Sequence, residues 1–405
     1  MKILWLKNNL LHPLDSGGRI RSYQILRQIN GKHEVHYAAF ADERRDTEAM
    51  RLASEYCRRL FTVEPPRVPE KNTPGYYARV FGGLIDAEPF TVSSYRKPEM
   101  RSLVERLIAA NGYDILVADF LAMCLNVPDV PAIPVVHFSH NVEAMIWKRH
   151  GDNEANAFKR FVFRREQKRI ERFERKIVTT YAFTIAVSEK DCEHFRRVYG
   201  GTRAGSVATG VDTGYFTPRG GPEDPNSIIF LGSMDWMPNI DAIHHFVRNI
   251  YPLIKNEVPA AKLSVVGRNP DVSVRALQER DPSITVTGTV SDTRDYIDRA
   301  AVAVVPLRIG GGTRVKIYEM MAMAKTIVST TIGAEGLNYS DGKNILIADE
   351  SERFARLVIE ALRDSSRRGA IGNGARDFVV SRCSWEAVAD EFVHLLDRAR
   401  KGCGS

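Results

Sequence analysis

The stretch VAVVPLRIGGGTRVKIYEMMAMA, Val302–Ala324, determines how the rest of this sequence is interpreted. A β-branched run, Val302–Leu307, is followed by three glycines and then by a helical pattern that ends near Ala324. This order is typical of a strand buried on both faces of a parallel sheet, a loop, and a returning helix. Because ligands of open parallel sheets bind at such loops, the segment predicts both a fold class and a site.

The same alternation of short apolar runs and helical patterns extends through the whole chain. One sheet of twelve strands is implausibly wide, so we predict an α/β protein with two doubly wound sheets of about six strands each. The predicted strands are Lys2–Leu6, Glu34–Phe40, Leu60–Val63, Asp114–Asp119, Ile133–His140 and Phe183–Ser188, then Ile228–Gly232, Lys262–Gly267, Ile284–Gly288, Val302–Leu307, Thr326–Thr330 and Ile345–Asp349.

The polar segment TPRGGPEDPN, Thr217–Asn226, separates the two series, since clustered proline and glycine without periodicity indicate a connection. We therefore expect one Rossmann-like domain at residues 1–215 and a second at 216–383, with the ligand in the cleft between them. The last helix is predicted over Ser384–Arg400, with Ser384 as its N-cap. Its apolar face comprises Trp385, Val388, Phe392 and Leu395.

Composition is that of an ordinary globular protein and excludes disordered, collagen-like and coiled-coil chains. The 405 residues include 57 Lys and Arg against 50 Asp and Glu, which gives a formal net charge of +7. Five scattered cysteines without a CxxC pair argue against a disulfide framework or zinc site and for a reducing compartment. With no signal peptide and no apolar run of about 20 residues, we expect a cytoplasmic protein, with peripheral contact at the inner face of the membrane left open.

The glycine loop Gly310–Gly312 and the helix after it indicate anion binding. Thr313 is a suitable N-cap, and Arg314 and Lys316 then lie in the first helical turn, where cations oppose the helix dipole. Their presence is explained if an anion, such as a diphosphate, lies between them and the bare N–H groups. A solvated Arg/Lys pair beside a flexible loop is the alternative.

Glu319 lies on the same helix among apolar neighbours. A carboxylate there is unfavourable unless it is paired or faces a polar ligand. It can accept hydrogen bonds from two neighbouring hydroxyls, as on a ribose. A structural ion pair with an arginine is the alternative interpretation.

A second glycine loop, SGGRIR at Ser16–Arg21, follows the first predicted strand. Two glycines before a helix allow backbone N–H groups to approach an anion. A tight turn with Ser16 as N-cap explains the pattern equally well. The loop lacks GxGxxG, so a dinucleotide fingerprint is absent.

Taken together, these motifs resemble the retaining glycosyltransferases of the GT-B fold in family 4, in the subgroup with a Gly-Gly-Gly-Thr-Arg-x-Lys loop. The resemblance covers nearly the whole chain. The similar segments are SGGRIR, SHNVE at Ser139–Glu143, TGVDTGYF at Thr209–Phe216, LGSMDWMPNIDA at Leu231–Ala242, the stretch PLRIGGGTRVKIYEMMAMAKTIVSTTIGAEGL, and SWEAVADEF at Ser384–Phe392. The last resembles a terminal helix that crosses back, so residues 384–405 are expected to join the N-terminal domain.

The resemblance implies a role for each matching residue. Glu319 would bind the donor ribose, while Arg314 and Lys316 would face the diphosphate, and these three residues together with His140 are the expected catalytic residues. His140 would contact the donor sugar near the reacting carbon. The remaining expected donor-binding residues are Gly17, Gly18, Gly232, Ser233, Arg268, Gly311, Gly312 and Thr313. The nucleotide sugar is a co-substrate, and neither a cofactor nor a metal is expected, since no DxD lies in a suitable loop.

Two departures from the family pattern matter. The first of its two glutamates falls on Gly311, and its usual Arg and Lys fall near Ser233 and Pro238. We then expect Arg314, Lys316 and Arg308 to neutralise the charge of the donor phosphates.

Strand alternation places His140 and His137 on opposite faces of the sheet. We prefer His140 as the site residue because it lies nearer the end of the strand.

Residues 158–176 form a basic amphipathic pattern with nine Lys/Arg and three Asp/Glu. Contact with an anionic membrane is one interpretation. Packing of the Phe158, Val162, Ile170, Phe173 and Ile177 stripe against the N-terminal sheet is the other, and we favour it because the glutamates allow i,i+3 and i,i+4 pairs. Binding of nucleic acid is not expected.

The expected function is transfer of a sugar from a nucleotide diphosphate sugar, expected to be UDP-linked, to a glycan, lipid-linked or small-molecule acceptor with retention of configuration. The alternatives are a nucleotide-sugar epimerase on the same fold and a degenerate nucleotide-sugar-binding partner protein. An epimerase would need carboxylate acid/base groups around the sugar, and Gly311, in the place of the first glutamate, argues against it. The absence of that glutamate is the support for the degenerate protein. Acceptor contacts are expected around Glu70–Tyr95, which contains Tyr76, Tyr77, Phe81, Phe90 and Tyr95.

Overall fold

A computed structural model describes residues 1–66, 88–154, 156–309 and 314–402. The chain divides into two compact units, which we describe separately. The first unit is Met1–Ala208 together with the chain from Val388 onward, and the second is Thr209–Ala387. Each unit is built on one parallel sheet, which confirms the predicted fold class. Each of the twelve predicted runs contains a strand.

The first unit has a seven-stranded sheet in the order β3-β2-β1-β4-β5-β6-β7. The chain builds outward from β1 to β3 and then returns to β4 beside β1, so the topological switch point lies between β1 and β4. The seventh strand was not predicted, because its three residues form no β-branched run. The strands are β1 Lys2–Lys7, β2 Glu34–Phe40, β3 Arg59–Val63, β4 Ile115–Asp119, β5 Val135–Ser139, β6 Phe183–Ala186 and β7 Ala204–Ser206.

Helices cover this sheet and connect its strands. The α-helices are α1 Gly17–Asn30, α2 Thr47–Arg51, α3 Phe90–Ser93, α4 Pro98–Asn111, α5 Glu143–Asn153, α6 Ala157–Thr180 and α7 Glu189–Arg197, with 3₁₀ segments at Leu52–Glu55 and Leu121–Asn126. Strand β4 and its neighbours are buried on both faces, as expected for a parallel sheet.

The second unit has a six-stranded sheet in the order β10-β9-β8-β11-β12-β13, with its switch point between β8 and β11. The strands are β8 Asp224–Leu231, β9 Lys262–Val266, β10 Ile284–Gly288, β11 Ala300–Val305, β12 Thr326–Ser329 and β13 Leu346–Ile347. The helices are α8 Met237–His245, α9 Tyr251–Glu257, α10 Val272–Arg280, α11 Arg294–Arg299, α12 Val315–Ala322, α13 Ser351–Arg363 and α14 Ser365–Arg382, with a π-helical turn at Phe246–Ile250.

The last helix, α15, spans Trp385–Lys401. The backbone N–H of Ala387 donates to Ser384 Oγ at 3.2 Å, which confirms Ser384 as the N-cap. The four residues predicted to share its apolar face are all buried. Phe392 packs against Trp5 with ring centroids 5.4 Å apart, so this helix helps to form the core of the first unit.

The basic segment forms α6, whose side chains fit the packing interpretation only in part. Ile170 and Ile177 are buried, and Phe173 packs against the core of the first unit, as predicted. Phe158 is 58% exposed, so the prediction that it packs was wrong. Among the residues that the structure describes, no helix combines the length and apolarity needed to cross a membrane.

Candidate functional site

A fully buried carboxylate, Asp119, lies at the switch point of the first sheet. It ends β4, while Lys7 ends the neighbouring β1, so both side chains reach the same edge. The Lys7 ammonium lies 2.8 Å from Asp119 Oδ2. The same oxygen accepts hydrogen bonds from Ser22 Oγ at 2.6 Å and Trp5 Nε1 at 2.9 Å. The buried charge is therefore paired and hydrogen-bonded, which is the condition under which such a charge is tolerated.

His140 completes this cluster. Its Nε2 lies 2.8 Å from Asp119 Oδ1. Because an ionised carboxylate only accepts hydrogen bonds, Nε2 carries the proton and Nδ1 of the neutral ring is an acceptor. Nδ1 is buried and makes no hydrogen bond with the residues that the structure describes. Burial lowers the pKa of His140 to about 4, against the opposing effect of Asp119, so the ring is neutral near pH 7.

An aromatic ring fixes the plane of the imidazole. Phe120 stacks on His140 with centroids 4.1 Å apart and an angle of 4° between the rings. The Lys7 ammonium lies 4.3 Å from the centroid of Phe120. Phe120 has φ of 77° and ψ of 145°, a conformation that only glycine adopts readily. A strained backbone conformation of this kind costs about 1–3 kcal/mol of stability and persists where the surrounding structure enforces it, often at functional sites.

The first glycine loop lies beside this cluster. Helix α1 begins at Gly17 with Ser16 in the N-cap position, although the Ser16 side chain makes no capping hydrogen bond. A Cβ on Gly18 would lie 2.8 Å from Phe120 Cζ and 3.7 Å from His140 Nδ1. The structure thus brings Gly18 and His140 together, whereas His137 lies within β5.

In the second unit, the loops after β8 and β9 bring three predicted residues together. The Arg268 side chain donates through Nε to Ser233 Oγ at 2.9 Å. Gly232 donates its N–H to the Val266 carbonyl at 3.0 Å. This contact places the exposed cation of Arg268 beside Ser233, near which the family pattern has an arginine or lysine.

Lys316 reaches the same place from α12. Its ammonium donates to the Leu231 carbonyl at 2.7 Å and to Asn239 Oδ1 at 3.2 Å. A Cβ on Gly232 would lie 2.9 Å from Lys316 Nζ, so the glycine leaves room for the amine. Burial and, to a smaller extent, the charge of Arg314 lower the pKa of Lys316 to about 8, against the opposing effect of Glu319.

Glu319 lies one turn beyond Lys316 and is half-buried. It makes no hydrogen bond or ion pair with the residues that the structure describes. Burial raises the pKa of Glu319, and Lys316 opposes this effect. The predicted alternative, a structural ion pair with an arginine, is therefore not found among the described residues.

Arg314 and Arg308 are engaged within the second unit. Helix α12 begins at Val315 with Arg314 in the N-cap position, one residue later than the sequence predicts. The Arg314 guanidinium lies 5.0 Å from the centroid of the Trp236 ring and interacts with the charge of Glu335. Arg308 forms a bidentate pair with Asp241 at 2.5 and 3.1 Å, so part of its charge is already neutralised.

Some predicted residues lie outside the described part of the chain. These are Gly311, Gly312 and Thr313 of the donor loop and Tyr76, Tyr77 and Phe81 of the predicted acceptor region. Tyr95, also from that region, packs against the core of the first unit.

Comparisons with known proteins agree with this architecture. The model of the family described as "Glycosyltransferase Family 4" matches residues 17–215, and that of "Glycosyl transferases group 1" matches residues 225–364. The chain is a glycosyltransferase of the family 4, GT-B type. The two matched segments together contain Gly17, Gly18, Asp119 and His140 and the residues around Lys316 and Glu319, whereas Trp5 and Lys7 precede the first segment.

Relatives of this glycosyltransferase are distant. A 44.6 kDa protein from a cps region of Klebsiella pneumoniae is 19% identical over 395 residues, which cover 93% of this chain and 95% of that protein. A GDP-mannose-dependent phosphatidylinositol monomannoside mannosyltransferase of Corynebacterium glutamicum is 25% identical over 244 residues, covering 55% of this chain and 64% of that protein.

Solved structures share the fold of this glycosyltransferase. Anabaena HepE in complex with UDP has a TM-score of 0.64 at 14% identity and covers 98% of this chain and 100% of that one. The sucrose-phosphate synthase of Thermosynechococcus elongatus has a TM-score of 0.62 at 16% identity, with all of both chains covered.

Sequence reasoning selected His140 but missed Asp119, its other partners Trp5, Lys7 and Ser22, and one further carboxylate in this glycosyltransferase. Glu174 of α6 is fully buried and accepts from the backbone N–H of Glu143 at 2.9 Å and from Tyr199 at 2.9 Å. It therefore fixes the start of α5, just after His140. Burial raises the pKa of Glu174 to about 7. A glutamate at a predicted inward-facing helical position was the available signal.

Proposed function

We propose that this glycosyltransferase moves a sugar from a nucleotide diphosphate sugar, UDP-linked, to a glycan, lipid-linked or small-molecule acceptor with retention of configuration. The observation that supports this most is the pair formed by Lys316 and Glu319 on one helix. The ammonium lies at the end of β8, beside the switch point of the second sheet, and the carboxylate one turn away makes no hydrogen bond or ion pair with the described residues. A phosphate and a pair of ribose hydroxyls are the groups that these two side chains suit.

Stabilisation of the departing diphosphate is the main chemical task of a transfer that uses no protein nucleophile. Lys316 supplies a positive charge from a position that is already half-buried, where electrostatic interactions are stronger than in water. Arg268 supplies a second, exposed charge next to Ser233. We propose that these two cations replace the Arg and Lys of the family pattern, since Arg308 is paired with Asp241.

His140 has a different role in this proposal. Its neutral ring presents Nδ1 as a hydrogen-bond acceptor, and the Asp119 hydrogen bond keeps the proton on Nε2. A neutral acceptor suits a sugar hydroxyl and does not suit a phosphate. We therefore propose that His140 orients the donor sugar and does not neutralise the leaving group.

A donor panel without acceptor tests the proposal. We expect slow release of nucleoside diphosphate from one UDP-sugar, as water replaces the acceptor, with little release from GDP- or ADP-sugars. Release from a GDP-sugar alone would contradict the assignment of uridine while leaving the transferase reaction in place. Once a donor is known, analysis of the anomeric configuration of the product tests retention, and an inverted product would refute it.

A further inference from the structure

The exposed side of α6 carries cations and aromatic rings but no acidic residue. Its members, which we call the basic stripe, are Phe158, Phe161, Arg165, Lys168, Arg172, Lys176 and Thr179, all of them exposed. They are spaced three or four residues apart and fall within an arc of about 80° on the helix surface. The stripe therefore forms one continuous surface along most of the helix.

The acidic residues of α6 lie outside the stripe. Glu166 and Glu174 are buried, and Glu171 pairs with Arg175 at 3.3 Å. Lys168, Arg172 and Lys176 make no ion pair with the residues that the structure describes. Several cations in one row give a positive potential that attracts a negatively charged surface.

Apolar side chains stand at both ends of this row of cations. At the amino-terminal end, Phe158 and Phe161 are 58% and 60% exposed. Near the carboxyl end, Val130 is 91% exposed, next to Pro128 and Asp129, which line the same cavity as Lys176. Aromatic and aliphatic side chains that project beside cations are typical of surfaces that enter the interface of a bilayer.

A cavity of about 390 Å³ adjoins the stripe on the first unit. Its walls include the apolar Leu125, Val127 and Ile177, and Arg172 and Lys176 belong to its lining. Arg96 and Arg101 also line it, but they pair with Glu88 and Asp129 respectively. An apolar wall beside unpaired cations suits a phosphate group that is attached to an acyl-bearing body.

We propose that the basic stripe and the adjoining cavity form a surface that binds anionic phospholipid membranes. The stripe cations contact lipid phosphates, and Phe158, Phe161 and Val130 enter the interfacial layer. This proposal is independent of the donor chemistry and needs no residue of the candidate active site.

Vesicle flotation with the full chain tests the proposal. We expect the protein to float with vesicles of phosphatidylcholine and phosphatidylglycerol, to bind pure phosphatidylcholine vesicles poorly, and to be released by salt. In the triple variant Lys168→Gln/Arg172→Gln/Lys176→Gln, the partition coefficient should fall on the order of 100-fold, about fivefold for each cation. Phe158→Ser/Phe161→Ser should lower it roughly tenfold.

The matched control is Arg353→Gln/Arg356→Gln/Arg382→Gln, which removes three exposed cations of the second unit and lowers the net charge equally. If the control and the stripe variant lost membrane binding equally, the binding would depend on the net charge alone, and the proposal would be overturned. Binding to an RNA oligonucleotide but not to anionic vesicles would overturn it as well. Because the stripe residues are exposed, unchanged melting temperatures should accompany each variant.

Discussion

The two clusters at the switch points of the two sheets are built in opposite ways. Around Asp119 the charges are buried, paired and hydrogen-bonded within the first unit. Around Lys316 the side chains are half-buried, and Glu319 makes no hydrogen bond or ion pair with the described residues. A polar group without a partner in a half-buried place is unfavourable unless a ligand completes it. The first cluster is therefore a preorganised support for His140, while the second is a surface that a ligand completes.

Removal of Asp119 from the first cluster should have the largest effect of the changes that we predict, a loss of stability. In Asp119→Ala the buried Lys7 ammonium loses its counter-charge, so we expect a loss of about 3–5 kcal/mol in the free energy of unfolding. Urea denaturation measures it. The double variant Lys7→Met/Asp119→Leu removes both charges and should recover part of the loss. If Lys7→Met lowered the free energy of unfolding as much in the Asp119 variant as it does in the unmodified protein, the two residues would not be coupled.

Glu319→Ala, in the second cluster, should lower the activity and leave the stability intact, the opposite of the effect expected for Asp119→Ala. We expect kcat/KM for the donor to fall roughly 30- to 100-fold, through the loss of two hydrogen bonds to a charged acceptor. Stability should stay the same or rise, because burial disfavours the ionised carboxylate and raises its pKa. Donor kinetics and thermal unfolding of the same preparation measure both quantities. Unchanged kinetics with an intact fold would refute the role of Glu319.

The same contrast explains what the sequence could predict. Glu319 and Lys316 lie on one short helix after one strand, so local spacing was enough to select them. Asp119 binds Trp5 and Lys7 of β1, Ser22 of α1 and His140 after β5, which are three separate segments of the chain. No local pattern marks it, because DILVAD is an ordinary strand ending in a polar residue. Sheets were predictable since buried parallel strands are continuous apolar runs, whereas β7, Ala204–Ser206, lacks that signal.

The two neighbouring glycines of α1 give a matched pair for the first cluster. A Cβ on Gly18 would lie 2.8 Å from Phe120 Cζ, whereas one on Gly17 would contact nothing within 4 Å. We expect Gly18→Ala to reduce the free energy of unfolding by about 1–3 kcal/mol through overpacking. Gly17→Ala should be neutral or stabilising by up to about 1 kcal/mol. Equal unfolding curves for the two variants would contradict the close packing at Gly18.

The smallest expected effect is the pH dependence of the second cluster. The pKa of Lys316 is lowered to about 8 in the protein without ligand, so above this pH the amine loses the charge that attracts the donor diphosphate. We expect kcat/KM for the donor to fall up to tenfold for each further pH unit, while kcat changes less because the bound diphosphate raises the pKa.

The stability of the protein should show the opposite sign in the same range. An unfolded lysine keeps its proton up to about pH 10.4, so the unfolded state binds more protons than the folded state between pH 8 and that value. The free energy of unfolding contributed by Lys316 therefore increases with pH across this interval. Lys316→Arg is the decisive variant, since arginine stays charged throughout and should abolish the alkaline fall in kcat/KM. An alkaline fall that persists in this variant would assign the titration to another group and leave Lys316 without its role in the second cluster.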